Sequence, residues 1–149
     1  PEAIAAFTGA KCKKVLTSMK IFADDECEAF SETMYENYVT TLSIEAQTMQ
    51  DMISSGFQPA MAKDLAIYKD APEMAGDRKA LYLDVLDEKK KLQSLMAKMP
   101  DGLAEEAKYL CNTVKPQMES LRSKVDQAES MMAEYPYPTY EKMLYGHHF

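Results

Sequence analysis

An all-α fold is predicted for this 149-residue chain by three observations. Apolar residues recur every three or four positions along most of its length, while the two-residue alternation of strands is almost absent. Glycine and proline are scarce, at 5 and 7 residues, so linker-like or collagen-like stretches are excluded. Twelve methionines with no tryptophan suit an adaptable helical core. The predicted architecture is an elongated bundle built on a long antiparallel helical hairpin. Residues 1–134 form one helical domain, and 135–149 an extended Tyr/Pro-rich docking tail.

Each element has its own warrant. Residues 2–22 place Ile4, Phe7, Leu16, Met19 and Phe22 at helical spacing, interrupted by Gly9. Asp24 then offers an N-cap, with acids in the following turn where the helix dipole favours them. Cys27, Phe30, Met34, Tyr38, Leu42, Ala46, Met49 and Ile53 step along one continuous face. Gly56 followed by Phe57 is the expected stop. Pro59 opens a short helix with Met61, Leu65 and Tyr68 inward, and Ala71-Pro72 ends it.

A fourth helix is expected over residues 73–99, with Leu81, Val85, Leu92, Leu95 and Met99 facing in. Pro100-Asp101-Gly102 reads as a turn in which Asp101 caps the next helix. That last helix has the most regular pattern: Leu103, Ala107, Leu110, Val114, Met118, Leu121, Val125, Ala128 and Met132. Pro116 lies inside it and predicts a kink. The two long helices form the hairpin, each roughly 40–50 Å at 1.5 Å per residue. Two rods cannot enclose a core, so the second helix must lie along them or along another protein.

Charge excludes some partners and suggests others. A net charge of −7 argues against a general nucleic-acid binder. No apolar run spans a bilayer, and residues 1–20 lack the apolar centre of a secretory signal. The first residue is proline, an end that removal of an initiator methionine or of an import presequence would leave. Residues 1–22 carry Lys11, Lys13, Lys14 and Lys20 against Glu2 alone. Residues 23–56 carry eight acids and no base. This acidic helix, with Glu28, Glu32 and Glu36 along it, reads either as a solvated face or as a docking face for a basic helix. Lys89-Lys90-Lys91 is a short basic run that could pair with it.

Reactive constellations are missing from the sequence pattern. His147 and His148 adjoin one another near the C-terminus, outside any rigid triad. Cys12, Cys27 and Cys111 have neither zinc spacing nor the even count of a disulfide framework, so they read as reduced structural residues. Paired Glu-x-x-His motifs for a di-metal bundle and glycine-rich phosphate loops are lacking. The expectation is no enzyme, no cofactor and no metal.

The tail holds four of the nine tyrosines, with Pro136 and Pro138 preventing helix continuation. Tyrosines pinned by prolines lose little entropy on docking. Tyr135, Pro136, Tyr137, Pro138, Tyr140, Tyr145 and Phe149 are therefore expected to bind a neighbouring subunit; the other reading folds the tail onto its own helices.

Tyr135-Pro136-Tyr137-Pro138 after a long helical region resembles subunit d of the mitochondrial ATP synthase peripheral stalk. The stretch from Ser55-Gly56-Phe57-Gln58-Pro59 through Tyr68, broken at Pro72 and followed by a charged helix, is similar to that family's middle region. The resemblance covers residues 50–140. It implies a stator subunit without an active site, held by helix packing to other protein subunits on the matrix side of the inner mitochondrial membrane. The alternative is a free-standing helical-bundle binding module in the cytoplasm: a small chaperone, an adaptor or a carrier of an apolar ligand.

Overall fold

Helix breaks fall where backbone conformation demands them. The computed structural model describes residues 1–138 and 143–144. The first helical stretch is two helices, α1 (Glu2–Phe7) and α2 (Ala10–Ser18), because Gly9 between them is extended at φ −61°, ψ 143°. α2 closes on Lys20 at φ 56°. The Ile21 N–H donates to the Leu16 carbonyl at 3.0 Å, and the Lys20 N–H to Thr17 at 3.1 Å. That paired closure usually takes glycine at the left-handed position, and here lysine occupies it.

α3 (Asp24–Met52) begins one residue away from expectation. Asp24 is the first helical residue rather than the cap, and the Glu26 carboxylate reaches back to the Ala23 N–H at 2.7 Å. Such a reach from the third helical position is half of a capping box.

The stop expected at Gly56 does not occur. The chain passes through a π turn, Ile53–Phe57, directly into α4 (Gln58–Ile67). The Gln58 N–H donates five residues back, to the Ile53 carbonyl. Pro59 explains the wider turn. Proline has no N–H to give, and its ring crowds the carbonyl four residues earlier, which a π turn moves away.

The same device recurs at the other interior proline. α6 (Leu103–Tyr109) runs through a π turn, Leu110–Val114, into α7 (Lys115–Met131), with Pro116 as the second residue of α7. The Lys115 N–H bonds the Leu110 carbonyl, again five back. The expected disturbance at Pro116 is thus taken up as one widened turn.

α5 (Arg78–Met96) starts later than expected and is 19 residues long, about 28 Å. A 3₁₀ turn, Pro72–Ala75, precedes it, and Gly76 sits at φ 57°, which a regular helix cannot include. Gly102 at φ 104° caps α6, displacing the expected Asp101 by one residue.

The chain divides into two compact units. The first comprises Pro1–Ala46 and Leu95–Pro116. Ile4, Tyr35 and Ala107 form a core there, with Tyr38, Val39, Leu103 and Ala104 packed on it. Phe7, Phe22 and Phe30 meet at ring-centroid distances of 5.2–6.0 Å. Lys13 joins α2 to α3 through Glu28 at 2.8 Å and Asp24 at 3.5 Å. Cys27 is fully buried, and burial pushes its thiol pKa up; Cys12 and Cys111 are half-buried, and all three are free of disulfides.

The second unit comprises Gln47–Ser94 and Gln117–Phe149. Ile53, Val85, Leu92 and Leu121 are its largest fully buried side chains. Its parts of α5 and α7 run antiparallel. Gln117 donates to the Glu88 carboxylate at 2.6 Å, Lys124 to Asp84 at 3.2 Å, and Arg78 to the Met131 carbonyl at 3.1 Å. Partner numbers fall along α5 as they rise along α7. Lys89 donates to the Ser54 hydroxyl, and Lys90 and Lys91 pair with Asp87 and Glu88 on their own helix. The bonds of the basic run thus stay within the second unit.

Candidate functional site

The second unit carries one buried polar cluster, centred on Asp64. This carboxylate is 3% exposed on the inward face of α4, one turn after Met61. Burial on that scale is tolerated only when the charge is paired and its oxygens are hydrogen-bonded. Both conditions are met. The Tyr82 hydroxyl donates to Oδ2 at 2.7 Å, the Ala133 N–H donates to Oδ1 at 3.1 Å, and Arg78 Nε lies 3.4 Å from Oδ2.

Arg78 is fixed from several sides. Its two terminal nitrogens donate to the Ala75 and Met131 carbonyls at 3.1 Å, and its guanidinium lies 4.9 Å from the Tyr68 ring centroid. Burial, and then the hydrogen bond to Asp64, raise the Tyr82 pKa far above its ordinary value. The cluster holds a saturated carboxylate, a permanent cation and a phenol that keeps its proton. What the arrangement does is fasten α4, the start of α5 and the segment after α7 together.

The tail packs next to this cluster. Tyr135 and Tyr137 each lie 5.7 Å from Phe57 between ring centroids, and the Tyr137 hydroxyl donates to the Met52 carbonyl at 3.0 Å. Gly56 makes that seat possible, since a Cβ there would stand 2.5 Å from the Tyr137 hydroxyl oxygen. Burial, followed by the nearby Glu129, raises the Tyr135 pKa. A cleft of about 260 Å³ lies beside the tail, lined by Ser55, Lys63, Asp64, Glu134, Tyr135 and Pro136 among others.

The expected partner-binding residues fall in three places. Tyr135, Pro136 and Tyr137 are half-buried in the second unit, the two rings seated on Phe57 of their own chain, and Pro138 is exposed. Tyr140, Tyr145 and Phe149 lie outside the described residues, as do both histidines. In the first unit, Glu28 is paired with Lys13, while Glu32 and Glu36 are exposed on α3. The sequence reading missed Asp64, Arg78, Tyr82 and Gly56. Asp64 had a visible signal, an acid among Met61, Leu65 and Tyr68 on an inward face. Among the described residues no group of His, Cys, Asp and Glu could hold a metal ion, and no helix is long and apolar enough to cross a membrane.

Comparison with known proteins gives a consistent direction. The family profile described as glutamine synthetase C-terminal domain matches residues 1–70. A glutamine synthetase of Butyrivibrio fibrisolvens is 32% identical over 152 aligned residues, covering 89% of this chain and 22% of that protein. One from Bacteroides fragilis (strain YCH46) is 24% identical, covering 97% of the chain and 23% of its own length. The chain therefore spans about a fifth of the length of the curated relatives it matches. No solved structure matches it.

These matches overturn the stalk reading. The family resembled is glutamine synthetase rather than subunit d of ATP synthase. With it go the mitochondrial inner-membrane placement and the expectation of no enzyme, since the relatives are bacterial enzymes. The free-standing binding module gains no support either. Proline-broken tyrosines after a long helix are a pattern of composition, and unrelated helical proteins can share it.

Proposed function

We propose that this chain is the C-terminal helical region of a glutamine synthetase and works as part of that longer enzyme. The observation that carries the reading is the 32% identity to the Butyrivibrio fibrisolvens enzyme along 89% of the chain, joined by the family match over residues 1–70. The fold agrees in class, every described element being a helix or turn. In this reading the reacting groups for glutamine formation come from the rest of the polypeptide. The chain's own polar cluster at Asp64 keeps its helices assembled, and its outer faces supply contacts.

The test is isolation of the native protein with an antibody raised against this chain. The expected product is a polypeptide several times longer than 149 residues that forms glutamine from glutamate and ammonium. A native polypeptide of this length alone, or a longer one without glutamine-forming activity, overturns the reading.

A further inference from the structure

Two of the three cysteines are brought together by the packing of α2 on α3. The chain turns back between these helices, and Lys13 reaches across to Glu28 at 2.8 Å and to Asp24 at 3.5 Å. Phe7, just before α2, meets Phe30 of α3 at 5.2 Å between ring centroids. Cys12 lies between Phe7 and Lys13 in the chain, and Cys27 between Asp24 and Phe30, so the crossing contacts bracket both.

Burial shows which way the two cysteines face. On α2 only Cys12, Lys13, Leu16 and Thr17 are half-buried, and the other residues of the helix are exposed. Cys12 therefore belongs to the side of α2 that packs. Among residues 24–30 Cys27 alone is buried. Burial raises its pKa most, Lys13 works against that rise, and Asp24 and a charged Cys12 add to it. Cys111 is held elsewhere. It hydrogen-bonds to Tyr38, about 16 Å further along α3 than Cys27. A disulfide needs Cα atoms within about 7 Å, so Cys111 is out of reach of Cys27.

We propose that Cys12 and Cys27 form a dithiol that a peroxide oxidises to a disulfide between α2 and α3. Cys12 is the half-exposed member and reacts first. Its thiolate attacks hydrogen peroxide, breaks the O–O bond, takes up one oxygen as a sulfenic acid and releases hydroxide. The Cys27 sulfur then attacks the Cys12 sulfur and displaces the second hydroxide. The two thiol protons convert both hydroxides to water, and the two electrons lost by the sulfurs reduce the peroxide. The bond lies within one pair of packed helices of a single chain. It depends on that packing alone, and so stands apart from the glutamine synthetase reading.

The test uses the native full-length polypeptide that carries this chain. It is treated with hydrogen peroxide, denatured with its remaining thiols alkylated, digested and read by mass spectrometry. The expected result is loss of both free thiols and a linked peptide pair joining Cys12 to Cys27, lighter than the two reduced peptides by two hydrogens. Dithiothreitol should restore both thiols. Cys111→Ser should leave the link in place, and Cys12→Ser should leave Cys27 alkylated as a free thiol. Cys12 carried on to sulfinic acid beside an unreacted Cys27 overturns the proposal. So does either cysteine linked to a different partner, or both thiols surviving excess peroxide.

Discussion

Two single residues, one strained by its backbone conformation and one required for a ring's close approach, each give a measurable sign. Lys20 closes α2 at φ 56°, where a Cβ crowds the backbone. Lys20→Gly removes that crowding but gives the unfolded chain more freedom. The net expectation is a gain of about 0.5–1 kcal/mol, read as a higher denaturation midpoint in dilute solution. A loss would mean that the lysine side chain makes a stabilising contact outweighing its strain. Gly56 is the reverse case. Alanine is worth about 1 kcal/mol more than glycine inside a helix. Here its Cβ would collide with Tyr137, whose hydroxyl is already committed to Met52. Gly56→Ala should therefore destabilise the wild type and stabilise a Tyr137→Ala background. The same sign in both backgrounds would show that the ring is not seated on Gly56.

Among the elements, the two π turns share one cause and can be tested as a pair of changes. Each precedes a proline by one residue, Gln58 before Pro59 and Lys115 before Pro116. A π turn is an α-helix with one residue added, so deleting exposed Asn112 should return the helix to regular geometry with both flanks in register. Pro116 would then stand in an ordinary helix interior, at a cost of about 3 kcal/mol. Thermal melts should show a large loss for the deletion alone and recovery of most of it when Pro116→Ala is added. If Pro116→Ala fails to recover it, the widened turn answers to something other than the proline.

Legibility in the sequence also differed by element. The stripe from Leu103 to Met132 was readable because apolar spacing reports burial directly; Ala107, Leu110, Val114, Met118, Leu121, Val125 and Ala128 are all buried. α3 was read less well. Phe30 and Met34 are exposed, while Ser31, Tyr35 and Gln50 are buried, because polar residues with internal partners do not register as apolar positions. Gly56 was misread as a stop, since a glycine needed for a ring's close approach looks the same in sequence as one needed for a left-handed turn. Asp64 and Arg78 are 14 residues apart in the chain, and only the packing of α4 on α5 brings them to 3.4 Å.

For the molecule as a whole, stability should decline in alkali ahead of any acid effect from these groups. Burial, then a hydrogen bond with Cys111, raises the Tyr38 pKa to about 12, and the Tyr82 pKa is also raised. Both ionise at an ordinary 10.0 once the chain unfolds. Their contribution is complete below pH 10 and is lost as pH climbs through the folded values, because the unfolded state sheds its protons first. Lys13 and Lys91, raised by their bonds to Glu28 and Glu88, act in the same direction. Urea midpoints should hold level up to about pH 9, where the Cys27 thiol of the unfolded chain begins to ionise, and fall more steeply beyond pH 10, and Tyr82→Phe should make that fall shallower. A level profile through pH 12 would contradict these assignments.

The seat of Tyr137 over Gly56 also has an optical consequence. With no tryptophan in the chain, its near-ultraviolet absorption is dominated by tyrosine. Nine tyrosines contribute, and those held in an asymmetric apolar contact dominate the circular dichroism of that band. Tyr135 and Tyr137 are held in this way, edge-on to one another, with Tyr135 edge-on and Tyr137 tilted against Phe57, at 5.7–6.3 Å. The tail thus carries a label of its own. Its lifting from α4 would be visible as a loss of tyrosine ellipticity while the helical far-ultraviolet signal stayed in place, with no dye attached and no residue replaced.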